Sequence, residues 1–166
     1  MSKTKVRTAL VCASSKGLGL ASAHALADDG HQIIICSRDE ERLKNVALTL
    51  QRPGSPKPLY FASDLSRPDQ IPKLLKSIYS AVESIDILVN NVGGPPPSAA
   101  ANTDYQSWVY GFEQLFLSSV LMSQNVLGHM KQNNWGRIIT ITSLSVVEPI
   151  EHLVVSTSSI QSVLNL

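Results

Sequence analysis

The sequence predicts an open α/β fold, a doubly wound parallel sheet with helices on both faces. Three observations carry this expectation. Short apolar runs alternate with longer segments of helical periodicity along the whole chain. The runs are continuous in Val, Ile and Leu rather than alternating with polar residues, as suits parallel strands covered on both sides. The breaks between them fall at Gly and Pro, which end helices and open turns. The predicted strand order is 3-2-1-4-5, in one domain spanning residues 1–166.

Each element has a local signal. Residues 7–12 (RTALVC) read as the first strand. Residues 18–29 are Ala-rich, with Leu18, Ala21, Ala25 and Leu26 expected on the buried helical face and Gly30 as the stop. Residues 32–36 (QIIIC) give the second strand. Ser37 with Glu40 three residues on is expected to form a capping box, and Asp39 to lie in the first turn of that helix. Leu43, Val46, Ala47 and Leu50 continue it until Pro53 and Gly54. Residues 58–61 are a short third strand. A helix follows from Pro68, with Ile71, Leu74, Leu75, Ile78 and Val82 at helical spacing. Residues 85–90 (IDILVN) are the fourth strand, and Gly93-Gly94-Pro95-Pro96-Pro97 must be irregular. A long helix is expected from about Asp104 to Asn133, a fifth strand at 137–142, and weak helicity from Leu153 to Leu166.

Composition narrows the function. The chain has 166 residues, 43% apolar and 16% charged, with 14 Lys+Arg against 13 Asp+Glu. Near-neutral charge gives no basic surface for nucleic acid or anionic lipid. No apolar run reaches the length of a membrane span. No signal-peptide stretch follows Met1-Ser2-Lys3-Thr4-Lys5, so a cytoplasmic location is expected. Cys12 and Cys36 each end an apolar run and read as reduced, buried side chains, with a redox pair left open. The four histidines show no metal-ligand spacing, so no metal is expected.

Chemistry concentrates where the first strand meets the first helix, in Cys12-Ala13-Ser14-Ser15-Lys16-Gly17-Leu18-Gly19. Gly17, lacking a Cβ, lets a phosphate approach the backbone, and Gly19 allows close helix packing. The helix N-terminus then offers free N–H groups and positive dipole to a pyrophosphate. This segment resembles the TGxxxGxG turn of the short-chain dehydrogenase/reductase family, with Ala13 in place of the first glycine. Other markers of that family follow in order. Ser63-Asp64-Leu65 resembles the segment whose acid holds the adenine amino group. Asn90-Asn91-Val92-Gly93 resembles its NNAG motif, and Arg137 to Ser143 resembles the strand ending in its catalytic serine.

The resemblance implies a Rossmann-like dinucleotide site built from Ala13, Ser15, Lys16, Gly17, Leu18, Gly19, Ser37, Arg38, Asp64, Leu65, Asn91 and Gly93. The second strand ends in Ser37-Arg38-Asp39 rather than in an acid placed for a ribose 2′-OH. Arg38, with Lys16 from the other side, suits a 2′-phosphate, so NADP(H) is expected over NAD.

At the reaction centre the resemblance is incomplete. Ser143 matches the serine that polarises a carbonyl. Gln114 falls at the position of the relay asparagine. The tyrosine that donates the proton is expected at position 156, which is Ser156, and the lysine four residues later is Ile160. A serine hydroxyl is far less acidic than a phenol of pKa about 10. Tyr105 and Tyr110 are assigned to helix packing. Relatives continue with further strands and a substrate loop, so the chain is expected to be C-terminally truncated relative to them. The resemblance implies an NADP(H)-dependent reductase of a small carbonyl substrate, similar to 3-oxoacyl-acyl-carrier-protein reductases, that forms a homo-oligomer through the long helix. The alternative is a catalytically impaired dinucleotide-binding protein that pairs with a complete relative.

Overall fold

The structure is a computed structural model that describes residues 5–164. Five strands, β1 (Thr8–Val11), β2 (Gln32–Ser37), β3 (Leu59–Ala62), β4 (Ile87–Asn90) and β5 (Arg137–Thr140), pair in parallel in the order β3-β2-β1-β4-β5. The predicted topology is therefore observed. The helices are α1 (Gly17–Asp28), α2 (Glu40–Leu50), α3 (Ile71–Tyr79), α4 (Tyr105–Phe112), α5 (Ser118–Gln132) and α6 (Val154–Val163).

Strand alternation sends side chains to two cores. Leu10, Cys12, Ile34, Cys36 and Leu88 pack with Ile71, Leu74 and Ile78 of α3 and Met122, Val126 and Met130 of α5. Ala9, Val11, Ile33, Ile35, Ile87 and Val89 pack with Ala23 and Ala27 of α1 and Leu43, Ala47 and Leu50 of α2. The outer edge is different: Ile138 and Ile139 of β5 stay exposed, Ile139 at 49%.

Three expectations are corrected. The buried face of α1 is Gly19, Ala23 and Ala27, not Leu18, Ala21, Ala25 and Leu26, and Leu18 is 66% exposed. Close packing decides this, because the smallest side chains let the helix axis approach the sheet. Ser37 does not cap α2. It stays in β2, paired with Ala62 of β3. Asp39 is the cap instead, and Arg42 N donates to its Oδ1 at 2.9 Å. The long helix is interrupted: a wide π turn, Glu113–Leu117, joins α4 to α5.

At its start, Asp104 caps α4 by accepting from Ser107 N at 2.7 Å, which holds its carboxyl below the usual carboxylate range. That capping contribution is present above the unfolded carboxyl's pKa. It is lost as pH falls through the lower folded value. The tail forms α6 as expected, while Asn165 and Leu166 lie outside the described residues.

Opposite the strands' C-terminal ends, Asp86 ties two strand starts together. Its Oδ2 accepts from Thr8 N at 2.9 Å, and its Oδ1 lies 3.7 Å from the Arg7 guanidinium. That guanidinium in turn stacks 3.9 Å over Trp135. Asp86→Ala leaves the part-buried Thr8 N–H without an acceptor. It is expected to lower unfolding free energy by about 1–3 kcal/mol, read as a shifted denaturant midpoint at constant slope.

Candidate functional site

The site forms where β1 and β4 end and the chain leaves the sheet in opposite directions, at the switch point of the strand order. The turn after β1 is held by buried Ser14. Its Oγ donates to Val11 O at 2.7 Å and accepts from Cys36 N at 3.2 Å. Asn91, just past β4, donates from Nδ2 to the carbonyls of Cys12 and Ala13, both at 3.3 Å. The turn is thus pinned from both neighbouring strands.

Within this turn the glycines do different work. A Cβ on Gly19 would lie 2.6 Å from Ala13 O and from Asn91 Nδ2. A Cβ on Gly17, whose φ is +60°, would meet nothing within 4 Å. Gly19 therefore seats the helix, and Gly17 keeps the space in front of it open. The first helical bond of α1 runs from Leu20 N to Lys16 O at 3.3 Å, so the amides of Gly17, Leu18 and Gly19 have no intrahelical acceptor. Ala13 sits at φ +44°, in the left-handed region that a methyl group disfavours. Ala13→Gly is expected to stabilise the fold by about 0.5–1 kcal/mol, net of glycine's extra chain entropy, as a raised melting temperature.

A cleft of about 440 Å³ opens over this turn. Ala13, Ser15, Lys16 and Gly17 form its floor. Ser37 and Arg38 line one end, with Asp64 and Leu65 beside them, and Asn91, Gly93 and Gln114 close the other end. Leu18 and Gly19, expected in the same set, do not line it. Leu18 points outward, and Gly19 lies behind the turn.

Polar groups in the cleft are unevenly satisfied. The Ser37 hydroxyl is buried with no hydrogen-bond partner among the described residues. Asp64 accepts from Ser66 N at 3.0 Å and Ser66 Oγ at 2.7 Å through Oδ1. Asp39 is occupied as a helix cap. Lys16, Arg38 and Arg42, which all line the cleft, enter no ion pair with a described residue, whereas Arg7, Arg52 and Arg67 do. The sequence reading missed Arg42. Its signal was the four-residue spacing from Arg38 across the α2 cap, legible only once Asp39 was placed as that cap.

Gln114 lies in the π turn, and such turns recur at functional sites. Its Nε2 donates to Gly93 O, and its Oε1 is buried without a partner among the described residues. Ser143 and Ser156 are not among the residues that line this cleft. Ser143 Oγ accepts from Ser145 N at 3.2 Å and Ser145 Oγ at 2.9 Å. Ser156 Oγ would lie 3.8 Å from a Cβ at Gly94. Ile160 is 8% exposed and apolar, so nothing at that position supplies a cation.

Tyr105 and Tyr110 do not fill the packing role assigned to them. Tyr105 is 76% exposed, and neither lines the cleft. Tyr110 is 40% exposed.

The cysteines lie at adjacent ends of β1 and β2, buried and free. The hydrogen bond with the Cys36 thiol, together with burial, pushes the Cys12 thiol well above its ordinary value. A thiol so protonated is a poor exchange nucleophile. Among the described residues no cluster of His, Cys, Asp and Glu could hold a metal ion, and no helix is long and apolar enough to cross a membrane.

This arrangement provides an open glycine backbone at a helix N-terminus, an unpartnered buried hydroxyl and cations that enter no ion pair among the described residues. Together they suit a phosphorylated, elongated ligand.

Comparison with known proteins bears on the same region. The sequence pattern of the short chain dehydrogenase family matches residues 7–165. The chain is 32% identical over 142 residues to the 3-oxoacyl-[acyl-carrier-protein] reductase FabG of Aquifex aeolicus, covering 86% of this chain and 57% of that one. YwfH, an NADPH dependent reductase involved in bacilysin biosynthesis, superposes with a TM-score of 0.92 at 26% identity, covering 97% of this chain and 64% of that one. The L-sorbose reductase of Gluconobacter frateurii, solved with NADPH and L-sorbose, gives 0.90 at 25% identity, covering 96% and 61%. The chain thus spans about three fifths of the length of these proteins.

Proposed function

The chain belongs to the short-chain dehydrogenase family, and from that premise we propose that it binds NADP(H) in the cleft over the glycine turn, as part of an oxidoreductase acting on a small carbonyl compound. The observation that carries this reading is the pairing of Lys16 and Arg38 in one cleft with the open Gly17 backbone. The amides at the start of α1 would hold the pyrophosphate, and Lys16 and Arg38 the 2′-phosphate. The unpartnered Ser37 hydroxyl fits the same phosphorylated ribose. Asp64 would meet the adenine, with Leu65 packing beside it. Asn91 positions the turn, and Gly93 lets the ligand pass close to the backbone.

When bound, NADPH supplies a hydride to a carbonyl carbon. The protein's task is then to orient the carbonyl and deliver a proton to its oxygen. Ser143 is the proposed hydrogen-bond donor to that oxygen, and Gln114 the polar group at the inner end of the cleft. Relatives named as 3-oxoacyl reductases point to 3-oxoacyl thioesters as the substrate class. The test is NADPH oxidation with acetoacetyl thioesters. Turnover above buffer supports reduction, and its absence in folded protein removes it.

A second reading has its own observation. Ser156 and Ile160 stand where a proton donor and its cation are needed, and no tyrosine lines the cleft. Loss of a general acid removes about 10²–10⁴-fold in rate. Binding without appreciable hydride transfer follows, with a complete relative as partner. Tight NADP⁺ binding without turnover is the result that selects this reading.

Two finer elements belong to the same proposal: a cytoplasmic location and a homo-oligomer. The second rests on an apolar groove along the long helix, where Trp108, Val109, Phe112 and Leu117 meet Ser158 and Ser159 of α6. Light scattering at twice the chain mass supports the homo-oligomer; a monomer at high concentration refutes it.

A further inference from the structure

The side chains of Cys12 and Cys36 take no part in the chemistry of the cleft, yet they lie next to its floor. Val11 of β1 is level with Ile35 of β2, so one step further Cys12 is level with Cys36. Adjacent strands run about 4.7–4.9 Å apart, within the roughly 4.4–6.8 Å between Cα atoms that a disulfide spans. Both side chains enter one core, with Leu10, Ile34 and Leu65, and the two thiols hydrogen-bond to each other. The Cys36 thiol also donates to Val11 O at 3.8 Å. The chain has no third cysteine to compete. Both thiols are buried, but the residue after each, Ala13 and Ser37, lines the open cleft. The pair therefore lies one residue along the chain from a solvent-open space.

These surroundings admit an oxidised pair. A disulfide is neutral and leaves no buried donor in need of an acceptor. Protonation of the Cys12 thiol slows its attack on an oxidant, which affects the rate and not the fit of the product.

We propose that Cys12 and Cys36 are a modification site, oxidised by a small peroxide to an intramolecular disulfide that clips β1 to β2 beneath the glycine turn. One thiol gives up its proton and takes an oxygen from the peroxide as a sulfenic acid, releasing one water. The sulfur of the second thiol displaces that oxygen as a second water, and the S–S bond forms. The thiol pair loses two electrons, and one hydrogen peroxide is reduced to two waters. The bond closes a loop that holds the glycine turn and α1, so it constrains the unfolded chain and raises stability. The inference stands apart from the NADP(H) reading, and its test involves no nucleotide.

Treating the folded chain with hydrogen peroxide, followed by peptide mapping without reduction, tests the proposal. The expected product is a monomer lighter by two hydrogens that yields a linked Cys12–Cys36 peptide, formed over hours rather than seconds. Its melting temperature should rise by about 5–10 °C and fall back with dithiothreitol. Cys12→Ala and Cys36→Ala should show no such rise under the same treatment, and a melt before treatment verifies that each variant folds. Two thiols still free to alkylate, a disulfide between chains, or a sulfinic acid on either cysteine would overturn the pairing. A linked peptide with an unchanged or lower melting temperature would overturn the clip.

Discussion

Gly19→Ala is expected to destabilise the protein by about 2–4 kcal/mol, the upper range for overpacking a rigid site. The added methyl would lie 2.6 Å from Ala13 O and 2.9 Å from Cys12 O. Both oxygens are backbone and cannot rotate away. They are also the acceptors that Asn91 uses to pin the turn, so relieving the clash breaks those bonds as well. Gly17→Ala is the informative control. Nothing surrounds its Cβ position, so its penalty is confined to the positive φ, about 1–2 kcal/mol. The added methyl would nevertheless occupy the space reserved for phosphate. Gly19→Ala should therefore fail mainly in denaturant unfolding and Gly17→Ala mainly in nucleotide titration. Equal stability losses would contradict the division of labour between the two glycines.

The second large effect is electrostatic. Lys16→Ala combined with Arg38→Ala removes two of the three cations that line the cleft and enter no ion pair among the described residues. NADP⁺ affinity should fall by more than about 100-fold, since each charge-assisted contact to phosphate contributes about 1.5–3 kcal/mol. NAD⁺ lacks the 2′-phosphate, so its affinity should change by no more than a few-fold. Raising salt should weaken NADP⁺ binding to wild-type protein and have much less effect on the double variant. A parallel loss of NAD⁺ binding would show that the two side chains shape the cleft instead of reading the phosphate.

Much of this was legible in the sequence for identifiable physical reasons. Strand order followed from continuous β-branched runs separated by helix-length segments, because burial on both faces leaves a compositional trace. The glycine turn was legible because only glycine meets both demands there, a positive φ at Gly17 and a close approach at Gly19. Other features left weaker traces. The buried face of α1 was misread because hydrophobicity favours Leu18, whereas packing against the sheet selects Gly19, Ala23 and Ala27 by size. The α2 cap was misplaced because Ser37 and Asp39 both suit capping, and only the register of β2 with β3 decides between them. The π turn that aims Gln114 at Gly93 has no sequence signature in periodicity, since one widened turn merely shifts the helix phase. Arg42 carried no motif signal, and only the placement of Asp39 as the α2 cap brings it to the cleft. Ser156 and Ile160 were legible as departures, and neither Ser143 nor Ser156 lines the cleft.

The claim beneath all of this is that a 2′-phosphate rests between Lys16 and Arg38. Phosphorus NMR of NADP⁺ titrated with the protein examines that contact directly. A free phosphomonoester has a second pKa of about 6. Nearby cations favour its dianion, so the bound 2′-phosphate should titrate below the free value, and affinity should rise from pH 5 to pH 7 and then level off. A shifted 2′ resonance that stays dianionic near pH 5 is the predicted result. A 2′ resonance that keeps the position and pKa of free nucleotide at saturating protein would contradict the account.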